Sequence, residues 1–137
     1  MSSRNKPVLE IAVGVIVDDD KVLIAQRPEG KHMAGAWEFP GGKLEAGETV
    51  YEALIRELNE ELGIVVTSAD ALMTHTHEYD DRIVNLQVML VADWSGEPAG
   101  LDGQALRWVD PENLMKSGVL PADEPIAERL IERFCKD

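Results

Sequence analysis

Residues 41–64 read GGKLEAGETVYEALIRELNEELGI, and this stretch decides the fold. Four glutamates stand in it at fixed intervals: Glu48, Glu57, Glu60 and Glu61. From Thr49 to Leu62 the segment carries good helix formers and no Pro or Gly, and Gly63 follows where a helix commonly ends. The pattern therefore predicts a helix over 49–62 that contains the last three of these glutamates.

The predicted helix has an apolar face and a charged face. At about 100° per residue, one arc carries Tyr51, Leu54, Ile55, Leu58 and Leu62. The other arc carries Ala53, Arg56, Glu57, Glu60 and Glu61. Glutamates three and four residues apart repel each other by roughly a few tenths of a kcal/mol per pair unless a positive charge lies among them. Mg²⁺ prefers carboxylate oxygens and shares its shell with substrate phosphates. The pattern therefore predicts a Mg²⁺ site for cleaving a diphosphate, with Mn²⁺ as a substitute ion.

Each charged residue of the helix has an expected role in this chemistry, which needs in-line placement of water and neutralisation of charge on the phosphoryl oxygens. We expect Glu57 to orient or deprotonate the attacking water, with Glu60 and Glu61 mainly as metal ligands. Arg56 precedes Glu60 by four residues and can hold that carboxylate in place. The alternative is a merely solvated acidic face, which would not require the arginine and the bracketing glycines at their positions.

The stretch resembles the Nudix box with no position missing. Further segments are similar to the MutT-type 8-oxo-dGTP pyrophosphohydrolases of that family: IAVGVIV (11–17), AQR (25–27), HMAGAWEFPGGK (32–43), WSGEPAG (94–100) and PADEP (121–125). The resemblance covers nearly the whole chain and implies one domain over residues 1–137. It implies an α/β/α sandwich around a mixed β-sheet. It also implies Mg²⁺-dependent attack of water on a nucleoside triphosphate, with release of a monophosphate and pyrophosphate.

The resemblance also assigns roles to individual positions. The metal ligands would be the Gly41 carbonyl, Glu57, Glu60, Glu61 and, from outside the box, Asp102. The catalytic residues would be Glu48, Arg56, Glu57 and Glu60. The nucleotide cleft would be lined by Arg27, Tyr79 and Arg82. The MutT branch commonly has Glu where this chain has Asp102, so this ligand has a shorter reach.

Asp123 stands where the MutT-type enzymes use Asn to recognise the oxidised purine. An Asn offers a donor and an acceptor, which suits the O6 acceptor and the N7 hydrogen of 8-oxoguanine, whereas an ionised Asp only accepts. Asp123 can take the N7 hydrogen, act as a neutral acid if burial raises its pKa, or accept from a cytosine amino group. The favoured substrate is 8-oxo-dGTP, and CTP or a modified dCTP is the alternative. Asp123 could equally be the N-cap of the last helix.

The chain has 137 residues and a formal net charge of −13, from 26 acidic and 13 basic residues. This balance argues against a groove that follows a nucleic-acid backbone. A triphosphate would arrive with its metal, and Arg27, Lys43 and Arg82 could meet its remaining charge, with Lys31 and His32 as weaker candidates. We expect a small-molecule nucleotide substrate and a monomer.

The apolar opening at 8–17 contains Glu10 and is too short to cross a bilayer. No small-residue cleavage site follows it. The single cysteine, Cys135, cannot form an internal disulfide, and we therefore expect a cytoplasmic protein. A non-catalytic nucleotide sensor on the same fold is the alternative from another class. Such a protein would tolerate loss of the box carboxylates, which are all present here.

Alternation over Leu9–Val17 predicts a strand, and 21–26 predicts its hairpin partner. Further strands are predicted at 71–78, 82–93 and 105–109, and helices at 112–116 and 125–134. The small residues Ala12 and Gly14 leave room for either a packed helix or a flat base. His75 and His77 could form a metal-binding pair or could simply be β-strand residues. Trp37, Phe39 and Trp94 could stack on a base or could pack in the core.

Overall fold

The computed structural model describes residues 6–31 and 33–135. Its strands are β1 (Val8–Asp18), β2 (Lys21–Gln26), β3 (Trp37–Glu38), β4 (Gly41–Lys43), β5 (Val65–Glu78), β6 (Ile83–Ser95) and β7 (Leu106–Val109). Its α-helices are α1 (Val50–Leu62) and α2 (Glu124–Phe134), and 3₁₀ helices span Pro111–Lys116 and Pro121–Asp123. Within the described residues, no helix combines the length and the apolar character needed to cross a membrane.

Helix α1 begins and ends where the sequence predicts, because both ends are capped by local residues. The Thr49 hydroxyl accepts from the Glu52 N–H, and the Glu52 carboxylate accepts from the Thr49 N–H, which forms a capping box. Gly63 takes the left-handed conformation at φ 73° and donates its N–H to the Asn59 carbonyl. These contacts fix the helix ends independently of the rest of the chain.

The sheet is mixed, as the resemblance implies. Its strand order is β3-β2-β1-β6-β5, with β4 paired to β1 and β7 paired to β2. Strand β1 runs parallel to β6 over nine register pairs, from Val8 with Ile83 to Ile16 with Val91, and its other edge pairs with β4 and β2. The glycine-rich β4 therefore lies directly against the middle of β1.

Two apolar layers cover the two faces of the sheet. One layer packs α1 on the sheet through Leu54, Leu58 and Leu62. The other packs α2 and the first 3₁₀ helix through Leu114, Ile126 and Leu130. Residues of β1 alternate between these layers, which is the α/β/α sandwich that we expected.

Gly14 settles the two readings of the small residues in β1. A Cβ atom there would lie 3.0 Å from the Leu58 Cδ1 and 3.1 Å from the Leu54 Cδ1. Ala12 is fully buried in the same layer. The space above these two residues is filled by α1, so the reading as a packed helix is right.

The remaining predictions hold with shifted boundaries. Strand β5 begins at Val65 rather than at position 71, because Ser68, Ala69 and Asp70, which have low strand propensity, still pair with β6 around two register shifts. The segment predicted as a helix at 112–116 is a 3₁₀ helix that starts at Pro111. Helix α2 starts one residue earlier than predicted, at Glu124.

Candidate active site

A cleft of about 870 Å³ opens on the face of the sheet opposite α1. Its floor includes Leu9, Ile11 and Val13 of β1 with Val84 and Leu86 of β6. Nine residues predicted for the site line it: Arg27, Gly41, Lys43, Glu57, Glu61, Tyr79, Arg82, Asp102 and Asp123. Residues 75 positions and more apart in the chain are thus gathered around one cavity.

Glu57 lies at the acidic end of the cleft, against the backbone of Gly42. A Cβ atom on Gly42 would fall 2.3 Å from the carboxyl carbon of Glu57 and 2.5 and 2.6 Å from its two oxygens. Any side chain at position 42 would therefore displace the carboxylate. This close approach requires glycine at that position.

Glu61 lies beside Glu57 at the same end of the cleft. Burial, followed by the hydrogen bond and charge of Glu57 and the charge of Glu38, raises the pKa of Glu61 to about 9, and a backbone hydrogen bond from Gly41 opposes this. The two carboxylates are held together at a cost in repulsion that a proton or a cation between them relieves. The contact from Gly41 is made by its N–H, whereas the resemblance implies a role for its carbonyl.

Arg56 binds Glu48 more closely than it binds Glu60. Its Nε and Nη2 donate to the two Glu48 oxygens at 2.6 and 2.9 Å, its Nη1 donates to Glu57 at 2.9 Å, and its Nη2 donates to the Lys43 carbonyl at 3.0 Å. The contact with Glu60 is longer, at 3.4 Å, and that side chain is 60% exposed. Arg56 therefore clamps the Glu48 loop to α1, and the contact with Glu60 that we expected is present as the longest of its hydrogen bonds.

The ion pair between Arg56 and Glu48 shifts the pKa of both residues. The hydrogen bond from Arg56, then the backbone N–H of Glu45, lowers the pKa of Glu48 to about 2. The hydrogen bond to Glu48, supported by the contacts with Glu57, raises the pKa of Arg56. Neither Glu48 nor Arg56 lines the cleft. Arg56 binds Glu57 directly, and Glu48 acts on it only by holding Arg56.

The predicted set of metal ligands is gathered only in part. Gly41, Glu57, Glu61 and Asp102 line the cleft, Asp102 from an exposed loop, whereas Glu60 does not line it and lies toward Arg56. Over residues 6–31 and 33–135, no three His, Cys, Asp or Glu side chains are close enough together to hold a metal ion in this conformation. In particular, His75 and His77 belong to no such cluster, and they are residues of β5 with ring centroids 6.2 Å apart.

Asp123 also lines the cleft and is only 6% exposed. Its carboxylate accepts from the Phe39 N–H at 3.1 Å, and it makes no side-chain capping bond to α2. Asp123 thus occupies the N-cap position of α2, but its side chain does not make the capping hydrogen bond that we expected. Burial raises the pKa of Asp123 to about 7, with the charge of Glu38 adding to this, while the Phe39 hydrogen bond and the charge of Arg27 oppose it.

Arg27 and Tyr79 line the cleft near Asp123. Arg27 donates from Nη1 to the Glu38 carboxylate at 2.8 Å. Burial raises the pKa of Glu38 against the pull of Arg27. Burial and the charge of Asp123 raise the pKa of the Tyr79 phenol. This end of the cleft is thus a half-buried polar pocket with two carboxyl groups and one guanidinium.

The sequence did not single out two lining residues, Glu38 and Gln104. Glu38 follows Trp37 in the family-like segment, and only its pairing with Arg27 shows that it faces the cleft. The Gln104 side chain accepts from the Asp102 N–H at 2.9 Å and donates to the Glu61 carbonyl at 3.3 Å. It ties the loop of Asp102 to the end of α1, a contact over 43 positions that no local pattern indicates.

The other aromatic and basic candidates divide between core and cleft. Phe39 and Lys31 line the cleft. Trp37 is buried in the α2 layer under Arg107, whose guanidinium lies 4.3 Å from the ring centroid, and Trp94 packs on the α1 layer. Neither tryptophan lines the cleft, so the core reading is right for both. His32 lies outside the described residues.

In this α/β/α sandwich, paired carboxylates on a capped helix pack against a glycine-rich strand and line a cleft with it. This arrangement defines the class of hydrolases that act on phosphate anhydrides. The sequence model of the NUDIX domain matches residues 12–129, and the chain belongs to the NUDIX family.

Individual relatives agree with this assignment. The chain is 40% identical to the CTP pyrophosphohydrolase of Escherichia coli, over 88% of this chain and 90% of that protein. It is 52% identical to the 8-oxo-dGTP diphosphatase of Proteus vulgaris, over 68% of this chain and 84% of that protein. Among solved structures, the solution structure of the E. coli ORF135 protein superposes with a TM-score of 0.84 at 37% identity, covering 97% of this chain and 96% of that one.

Proposed function

We propose that this protein is a Mg²⁺-dependent nucleoside triphosphate pyrophosphohydrolase that converts 8-oxo-dGTP to 8-oxo-dGMP and pyrophosphate. One observation carries the proposal. The Glu57 and Glu61 carboxylates and the buried carboxyl group of Asp123 line one and the same cleft. The paired glutamates suit a metal-bound phosphate chain, and Asp123 suits a base. Removal of oxidised dGTP from the precursor pool would prevent mutation during DNA replication.

The residues at the acidic end fit a hard divalent cation. Every side-chain donor is a carboxylate oxygen, and the Gly42 backbone leaves room for Glu57 against the strand. Glu57, Glu61 and the Gly41 carbonyl would hold Mg²⁺, with Glu60 and Asp102 as further oxygen ligands. When bound, the cation neutralises charge on the phosphoryl oxygens. Mn²⁺ prefers the same oxygen ligands and is expected to substitute.

The chain's own residues would then perform the remaining steps. Glu57 orients the attacking water and takes its proton, held in place by Arg56 at 2.9 Å. Arg27, Lys43 and Arg82 meet the phosphate charge that remains. The described lining residues include five carboxyl groups and only four cationic side chains, so the triphosphate depends on its metal to enter.

The environment of Asp123 supports an oxidised purine as the base. With a pKa raised to about 7, this group is substantially protonated near neutral pH. A neutral carboxylic acid has one O–H donor and one carbonyl acceptor. It therefore matches the O6 acceptor and N7 hydrogen of 8-oxoguanine much as an Asn would.

CTP or a modified dCTP is the second candidate substrate. The ionised form of Asp123 only accepts hydrogen bonds, which suits a cytosine amino group. The relative named CTP pyrophosphohydrolase is 40% identical over most of its length. The protonation state of this one residue thus distinguishes the two substrates.

The deciding experiment compares kcat/KM for 8-oxo-dGTP, dGTP, CTP and 5-methyl-dCTP with Mg²⁺ at pH 6 and pH 8. We expect 8-oxo-dGTP to be preferred, with its advantage over CTP larger at pH 6, where Asp123 carries its proton. Preference for a cytosine nucleotide at both pH values would replace the proposed substrate. Tight nucleotide binding without turnover in Mg²⁺ or Mn²⁺ would favour the sensor instead.

We further propose that the enzyme acts as a monomer in the cytoplasm. Nine of the residues proposed for the site line one cleft within a single chain. The single cysteine is exposed and unpaired, which is compatible with a reducing compartment. Sedimentation equilibrium with and without nucleotide would test the first statement, and fractionation of the source cells would test the second.

A further inference from the structure

The turn between β5 and β6 carries two of the residues that line the cleft. Tyr79 and Arg82 both face the cavity, whereas the two aspartates between them are exposed. The turn is closed by the Tyr79 N–H, which donates to the Arg82 carbonyl at 2.7 Å. The position of this short turn therefore sets the position of two proposed substrate-binding side chains.

Lys6 holds this turn from outside the cleft. Its ammonium donates to the Glu78 carboxylate at 2.5 Å and to the Tyr79 carbonyl at 3.0 Å. The Lys6 side chain is only 14% exposed, which is unusual for an isolated lysine. The next residue, Pro7, accepts from the Ile83 N–H at 2.9 Å on the other side of the turn. Lys6 and Pro7, just before β1, are therefore hydrogen-bonded to both ends of the turn.

Lys6 is not among the residues that line the cleft. Its two partners, Glu78 and Tyr79, lie 72 and 73 positions away in sequence, where β5 ends and the turn begins. A partly buried lysine that satisfies a carboxylate and a backbone carbonyl at once fixes the local backbone more firmly than an exposed ion pair does.

We propose that Lys6 is a positioning residue for the nucleotide, acting through the turn that carries Tyr79 and Arg82. The inference rests on the proposed function in one respect, that these two side chains contact substrate. Without the ammonium, the turn samples conformations in which they leave the cleft. The apparent dissociation constant rises in inverse proportion to the competent fraction. The carboxylates on α1 are untouched, so the chemical step proceeds at its usual rate once substrate is bound.

Three variants test this proposal. Lys6→Met keeps the aliphatic stem and removes the ammonium, and we expect KM for 8-oxo-dGTP to rise about fivefold with kcat within about twofold, as for a fall of the competent fraction to roughly one fifth. Lys21→Met is the matched control, since Lys21 binds Asp110 at 2.9 Å and does not line the cleft. Its KM should equal that of the wild type. Simple destabilisation would lower the amount of active enzyme without raising KM.

Glu78→Ala separates positioning from electrostatic attraction. Lys6→Met makes the protein more negative and Glu78→Ala makes it less negative, yet both loosen the turn. We expect KM to rise in both variants, less in Glu78→Ala because the bond from Lys6 to the Tyr79 carbonyl remains. A fall of KM in Glu78→Ala would mean that charge alone acts on the triphosphate, which would overturn the proposal.

Hydrogen exchange tests, without relying on activity, whether Lys6 stabilises the turn between β5 and β6. The amides of Tyr79 and Ile83 should exchange faster in Lys6→Met and unchanged in Lys21→Met, because both amides close the turn. If the wild type hydrolyses no nucleotide, the proposed function fails, while faster exchange would still support stabilisation of the turn by Lys6. Unchanged exchange, or faster exchange with an unchanged KM in an active enzyme, would overturn the positioning role.

Discussion

Glu57 is held in place at the site by three different contacts. It packs against Gly42, accepts from Arg56 and lies beside Glu61. Each contact restricts where its oxygens can lie relative to a substrate in the cleft. Preorganisation of this kind is what general base catalysis requires, since the base must be within hydrogen-bond reach of the attacking water.

Replacing Glu57 with Gln should lower kcat by at least about 10², because the shape is kept while the base and one negative charge are lost. The measurement is steady-state kinetics at saturating Mg²⁺ and 8-oxo-dGTP. Glu128→Gln, on the exposed side of α2, is the control and should keep the wild-type rate. A near-normal kcat for Glu57→Gln would mean that another group activates the water.

Asp123 makes the stability of the fold depend on pH. Burial raises its pKa from 3.8 to about 7, so between these values the folded protein binds a proton that the unfolded chain has released. Stability is therefore lost as pH rises through this window. Asp123→Asn keeps an acceptor for the Phe39 N–H without a charge to bury.

The Asn variant should have the same stability as the wild type near pH 3.5 and exceed it increasingly up to pH 8. The upper bound is roughly 4 kcal/mol, because each pKa unit corresponds to about 1.4 kcal/mol. Urea unfolding at several pH values measures the difference. If the difference is constant across the range, the pKa of Asp123 is the same in the folded and the unfolded protein, so Asp123 is ionised near neutral pH. That result would support a cytosine nucleotide as the substrate.

At the scale of elements, α1 and the loop before it form one unit. The capping box starts the helix, Gly63 ends it, and Arg56 binds the loop back onto it through Glu48 and the Lys43 carbonyl. The clamp determines how β4 faces the carboxylates of α1. The Nudix box therefore specifies the caps of the helix and the loop that Arg56 holds against it, as well as a set of ligands.

Glu48→Gln should raise the Mg²⁺ concentration for half-maximal activity about tenfold, since groups that orient metal ligands typically contribute 10 to 100-fold. Glu45→Gln is the matched control, because Glu45 is 3.6 Å from the same guanidinium but 69% exposed. The lowered pKa of Glu48 adds a second expectation. Its stabilising effect is complete above pH 4.5 and disappears as pH falls toward about 2. A stability difference between Glu48→Gln and the wild type that persists at pH 2 would contradict the ion pair.

At the scale of the whole molecule, we expect the net charge of −13 and the carboxylates that line the cleft to make stability depend on divalent cations. Binding to the folded state alone adds RT ln(1 + [L]/Kd), which is about 1.4 kcal/mol at ten times Kd. We expect Mg²⁺ without nucleotide to raise the melting temperature and a chelator to reverse this. An equal rise with NaCl at matched ionic strength, or an undiminished rise in Glu57→Gln, would show that screening is responsible.

The sequence alone determined the helix of the box, both of its ends, the alternation of β1 and the hairpin to β2. These features depend on residues within a few positions of one another, through capping, side-chain periodicity and turn conformation. The resemblance added the sandwich and the cleft residues, because spacing within the box is characteristic of one family. Nine of the predicted residues accordingly line the cleft.

Only the tertiary structure decided which partners the polar side chains take. Asp123 binds the Phe39 N–H 84 positions away instead of capping its own helix, and Lys6 reaches a turn more than 70 positions along the chain. Arg56 selects Glu48, eight residues back, over the helical neighbour Glu60. The sequence lists which groups can pair, but the choice depends on which of them the packed sheet brings within about 3 Å, and that depends on contacts across the whole chain.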